Sequence, residues 1–181
     1  PGVARAFTRP LAHPGFPGRT VPGAVTVVIV PDGDAPSPVP SEGLLRSVCA
    51  YLHPRRLLTC ELFVAPPAYQ SVRVRADVIA SADADSAEVR QEVEVRLLKY
   101  LHPLTGGEAG TGWEPGGPVY FSLVYGQVLK VGGVARIESL VIELDGEEQP
   151  ACQDVQLNPG ALATSDGHDV LVTYAGEGGT P

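Results

Sequence analysis

Between Asp85 and Pro103 the apolar residues Val89, Val93, Leu97 and Leu101 return at every fourth position, the period of one face of an α-helix. Asp85 with Glu88 three residues later has the form of a capping box, and Pro103 stops the helix. A helix with a single apolar stripe needs a surface to cover that stripe, so the rest of the chain must supply one.

Strand signals are strong enough to do so. Val25-Thr26-Val27-Val28-Ile29-Val30 is a β-branched run ended by Pro31 and Gly33, which predicts a central strand covered on both faces. Ser41 can cap a helix from about Ser41 to His53, with Leu44, Leu45, Val48 and Leu52 on one face and Pro54 as its stop. Leu58 to Val64 reads as a strand and Pro66-Pro67-Ala68 as a turn. Val72, Val74, Ala76 and Val78 then alternate with Arg73, Arg75 and Asp77, the second arm of a hairpin with one buried face.

After a glycine-rich loop, Val119 to Lys130 has helical spacing and Gly132-Gly133 ends it, while Ala135 to Leu144 reads as a strand turned by Asp145-Gly146. The order is strand, helix, strand, strand, helix, inserted loop and helix, strand. That order predicts an α+β, ferredoxin-like βαββαβ sandwich over 25–144. Residues 1–24, with five prolines and four glycines, read as an extended lead-in or linker from a preceding region. Residues 145–175 read as a C-terminal β extension pairing at the sheet edge, and 176–181 as a flexible tail.

Composition narrows function by exclusion. A net charge of −8, from 21 acidic against 13 basic residues, opposes binding to nucleic acid or an anionic membrane. The longest apolar run is too short to cross a bilayer, and no signal sequence opens the chain, so a soluble, non-secreted protein is expected. Cys49, Cys60 and Cys152 are odd in number and widely spaced, which fits free thiols in a reducing compartment. The chain has no Met, so it is expected to be a processed or excerpted piece.

No catalytic or metal set converges. Cys49 and His53 stand four apart on a helix but lack a second ligand pair, and a buried thiol beside a helix-end imidazole accounts for them. Asp32-Gly33-Asp34 lacks the spaced oxygens of a cation loop and reads as a solvated turn. Tyr51-Leu52-His53-Pro54 and Tyr100-Leu101-His102-Pro103 end both main helices with one tetrapeptide, as His near a helix C-terminus and a following Pro commonly do. Cys152 with His168 would be the pair for a hydrolase or transferase, and a small-ligand regulatory domain is a third possibility that the fold class leaves open.

The most distinctive segment is the loop after the long helix, Gly106-Gly107 to Gly112-Trp113, running on to Val119-Tyr120. A lone large aromatic among residues of permissive backbone serves to pin a loop by burying its ring. No Lys-Ser or Lys-Thr follows these glycines, which argues against a phosphate cradle.

In order and spacing the chain resembles the baseplate J-like proteins, wedge components of contractile phage tails and related contractile injection systems. The matching stretches are Gly2 to Ala6, Val25 to Pro31, Leu44 to Leu52, Pro66 to Val74 with Tyr69, and Leu101-His102-Pro103. They continue through Gly106-Gly107, Gly112-Trp113, Val119-Tyr120, Val131 to Val134 and Leu162 to Val172. Where that family commonly has an aromatic after the Trp and its acidic neighbour, this chain has Pro115-Gly116-Gly117.

The resemblance implies a non-enzymatic scaffold whose structural loop comprises Gly106, Gly107, Gly112, Trp113 and Tyr120, with no cofactor, metal or catalytic residue. It also implies copies paired within a ring around a central hub or spike, beside other wedge proteins and the sheath or tube. Such particles would assemble in the bacterial cytoplasm. The pairing surfaces expected from sequence are a sheet edge near Val155 to Val172 or the helix face Val119 to Val128.

Overall fold

A computed structural model describes residues 2–175 of the protein, so the tail expected at 176–181 lies outside the described residues. The chain divides into two compact units, Pro1–Ala68 and Tyr69–Pro181.

The first unit contains β1 (Val3–Pro10), β2 (Ala24–Pro31), α1 (Glu42–Leu52), a 3-10 turn (His53–Arg55) and β3 (Glu61–Ala65). The β-branched run makes β2 the central strand, antiparallel to β1 and parallel to β3. Parallel strands need a crossover, and α1 provides it. Ser41 Oγ caps α1 by accepting from the Leu44 N–H at 3.2 Å, and Leu44, Leu45, Val48, Cys49 and Leu52 are its half-buried residues. Within the stretch expected as a lead-in, Val3–Pro10 is a strand paired with β2. In β1 it is Arg5, Phe7 and Arg9 that are half-buried while Ala4, Ala6 and Thr8 are exposed, an alternation that its two arginines conceal in the sequence.

The second unit is built on β4 (Ala68–Ala80) and continues through α2 (Ser86–Tyr100), β5 (Pro118–Val119), α3 (Phe121–Leu129) and β6 (Val134–Leu144). It ends with β7 (Glu147–Glu148), β8 (Val155–Gln156), β9 (Ala161–Thr164) and β10 (Asp169–Tyr174). Its sheet runs β10-β4-β6-β7, with β9 also on β4, while β5 and β8 form a separate two-stranded pair. β4 is parallel to β10 and antiparallel to β6. Val72, Val74, Ala76 and Val78 are fully buried under Val89, Val93 and Leu97 of α2 and Val124 and Val128 of α3. Each such Val or Leu contributes roughly 1.5–3 kcal/mol on burial. Asp85 Oδ1 caps α2, accepting from Ala87 N at 2.8 Å and Glu88 N at 3.1 Å.

The architecture is mixed α and β, but not one ferredoxin-like sheet over 25–144. β2 and β3 pair with β1, whereas β4 and β6 pair with β10, in separate sheets. The expected hairpin between Leu58–Val64 and Val72–Val78 does not form. Pro66 and Pro67 withhold two backbone donors where it would turn, and the chain passes from one sheet into the other. Residues 145–175 supply strands at the sheet edge as expected, β7 and β10 standing at its two ends, and Leu157, Ala163 and Val170 also belong to the core.

Candidate functional site

An α-helix leaves its last carbonyls without intrahelical donors, and the Trp113 loop supplies them to α2. The Tyr100 carbonyl accepts from Gly107 N at 2.8 Å and from the Trp113 indole Nε1 at 3.0 Å. His102 O accepts from Gly106 N at 2.8 Å, and Gly106 O from Gly112 N at 3.0 Å. The indole thus works as a helix cap as well as a core group. Its ring is buried and meets the Tyr100 ring edge-on, with centroids 5.4 Å apart and planes at 82°. Burial pushes the Tyr100 phenol up to about 12, Glu108 adding to the shift, and its hydroxyl has no hydrogen-bond partner among the described residues.

The imidazole of His102 organises the first turn of the loop. Its Nδ1 lies 3.3 Å from Leu104 N, 3.2 Å from Thr105 N and 2.9 Å from Thr105 Oγ1. Two backbone donors on Nδ1 place the proton of the neutral ring on Nε2. Sequence spacing assigns His102 only to the helix dipole, and the signal for this second role is the Thr three residues after it.

Gly106 is fixed by space and Gly107 by conformation. A Cβ on Gly106 would stand 2.2 Å from Tyr100 O and 2.5 Å from His102 O, and Gly107 has φ of 75°. Gly106→Ala is expected to cost roughly 2 kcal/mol, since the obstructing atoms are backbone and cannot rotate away. Urea denaturation followed by far-UV circular dichroism measures it, and a midpoint equal to wild type would contradict the close approach.

At its far end the loop reaches β5, paired with β8, and Gly116 N donates to Ala161 O at 2.7 Å. Tyr120 occupies the N-cap position of α3 with its ring partly exposed. Its side chain does not cap; instead Asp154 Oδ1 accepts from Phe121 N at 2.9 Å. The structure therefore gathers Gly106, Gly107, Gly112 and Trp113 at the end of α2 and sets Tyr120 apart from them. The N–H groups of Gly106, Gly107, Gly110, Gly112, Gly116 and Gly117 all donate to carbonyls of the chain, so they are not turned toward a phosphate.

The other sequence candidates are dispersed. Cys49 is half-buried and His53 exposed, and no group of three metal-ligating side chains occurs among the described residues. Asp32, Gly33 and Asp34 are exposed. Cys152 is exposed, at φ 58°. His168 is buried, with Nδ1 accepting from Val74 N at 3.1 Å and Nε2 facing Ser165 Oγ at 3.4 Å, so both ring nitrogens are engaged away from Cys152. Arg75 pairs with Glu143 and, at 2.6 Å, with Glu148; both carboxylates hold its guanidinium above the ordinary pKa. Arg73 stands 3.5 Å from Asp169, so both arginines of β4 already face carboxylates of their own chain. The helix face Val119 to Val128 is closed as a pairing surface, because Val119, Val124 and Val128 are all fully buried.

No protein-family model matches the chain, and no curated protein matches it. Among solved structures its fold is similar to a chain of the cryo-EM structure of the anti-feeding prophage (AFP) baseplate, 6-fold symmetrised. The TM-score is 0.66 at 17% sequence identity, over 91% of this chain and 34% of the other. This chain thus spans about a third of its neighbour's length, and at that identity the likeness is one of fold.

Proposed function

We propose that the chain is a structural component of the baseplate of a contractile tail or contractile injection system, acting as a wedge protein of the baseplate J-like kind. The observation that carries this is the fold likeness to an anti-feeding prophage baseplate chain, extending over 91% of the residues. The ordered stretches that resemble the J-like family in sequence support it separately. Its role is to link wedges into a ring around the central hub beneath the sheath, without catalysis. Partners are other wedge proteins, the hub or spike and the sheath or tube, with paired copies inside the ring and assembly in the bacterial cytoplasm.

The chemistry fits such a scaffold. Its conspicuous glycine loop spends its donors on its own carbonyls, and its buried imidazole fastens a strand. No helix among the described residues is long and apolar enough to cross a membrane. Deletion of the gene in the producing strain is expected to abolish sheathed particles with baseplates in negative-stain electron micrographs, and complementation to restore them. Normal particles in the deletion strain would rule the role out.

A further inference from the structure

From Gly43 to Cys60 the chain carries three arginines, Arg46, Arg55 and Arg56, and no carboxylate. Main-chain acceptors hold two of them: Arg55 Nη1 donates to Tyr51 O and Arg56 Nη1 to Cys60 O, each at 2.7 Å. The Arg55 guanidinium also lies 4.0 Å from the centre of the Tyr51 ring, a cation–π contact that fixes it further. Arg73, Arg75, Arg90 and Arg136 each have a carboxylate partner, whereas Arg55 and Arg56 have none among the described residues. Beside them Leu58 is 100% exposed, Leu57 76% and Tyr51 62%. Arg and Tyr are residue types enriched in binding hot spots, and the uncovered leucines beside them add apolar surface that a partner can remove from water.

Charge identifies what would cover it. Residues 1–68 hold six arginines against four acidic residues, a charge of +2, and residues 69–181 seven basic against seventeen acidic, a charge of −10. On α2, Glu88 and Glu92 are exposed and have no cation partner among the described residues. Val95 and Leu98 are exposed on the same helix, and the spacing of 88, 92, 95 and 98 puts all four side chains on one stripe.

We propose that the Tyr51–Leu58 patch docks on the α2 stripe of a second copy of this chain, Arg55 and Arg56 meeting Glu88 and Glu92 while Leu57 and Leu58 cover Val95 and Leu98. The contact joins two different surfaces, so it repeats head to tail and closes into a ring where its rotation permits. It deepens the assembly role and takes its biological sense from that role. Because its ion pairs lie at the surface, salt weakens it.

Sedimentation velocity of the full chain at rising concentration in low salt is expected to show self-association that high salt suppresses. Arg55→Glu with Arg56→Glu, or Glu88→Arg with Glu92→Arg, is expected to weaken association about tenfold or more, and mixing the two reversed chains to restore it. Leu57→Ser with Leu58→Ser alters only exposed side chains and is expected to weaken it without changing the circular dichroism spectrum. A chain that stays monomeric at every concentration, reversals that leave association unchanged, or a mixture that fails to recover would each overturn the contact. The two proposals fail separately: charge-reversed strains that build normal particles remove this contact alone, whereas normal particles in the deletion strain remove the baseplate role.

Discussion

Replacement of Trp113 by alanine is expected to destabilise the second unit by roughly 3–5 kcal/mol, the cost of deleting a buried large aromatic and leaving part of its cavity. Two losses combine. The larger is apolar burial against the core that also contains Leu97, Leu101 and Val119. The smaller is the indole donor to the Tyr100 carbonyl, worth about 1 kcal/mol. Trp113→Phe helps to separate them, since it removes the donor and the pyrrole part of the indole but keeps a six-membered aromatic ring in the core. The melting temperature should fall by about 10 °C or more for Trp113→Ala and by a few degrees for Trp113→Phe. Far-UV circular dichroism is the appropriate probe, because Trp113 is the chain's one tryptophan and both variants lose its fluorescence. An unchanged melting temperature in Trp113→Ala would show that the loop is held by its backbone bonds alone.

Elements defined by local pattern were legible in the sequence, and those defined by distant pairing were not. The four-residue period of α2, the Ser41 cap of α1 and the alternation of β4 each appear where the residues place them. The assignment of strands to sheets depends on which edges meet. β2, β3, β4 and β6 in chain order fit one βαββαβ sheet as readily as the two sheets observed. Leu58 misleads for a related reason: an apolar residue at the head of a strand signal reads as part of the strand, yet β3 begins at Glu61 and leaves Leu58 wholly in solvent. At the candidate site, the lone Trp among glycines was readable. Its bond to a carbonyl thirteen residues earlier needs the folded loop to exist.

His168 makes the second unit acid-sensitive over a defined range. The imidazole lies one residue before β10, whose ladder with β4 starts at Asp169 opposite Arg75, and its Nδ1 takes the Val74 N–H. Burial, reinforced by the positive charge of Arg73 and opposed by Asp166 and Asp169, pushes the ring from 6.5 down to about 4. Between those values the unfolded chain binds a proton that the folded chain refuses, so stability falls as pH drops. The stabilisation is complete above 6.5, declines through the interval and is gone below about 4, a loss of about 3 kcal/mol. Protonation also turns Nδ1 into a donor facing the Val74 N–H, so charging the ring breaks that hydrogen bond. Urea unfolding across this range should therefore show a slope that His168→Gln removes, because glutamine offers Val74 an acceptor that does not titrate. A His168→Gln chain with the same pH dependence as wild type would assign the acid sensitivity to the carboxylates instead.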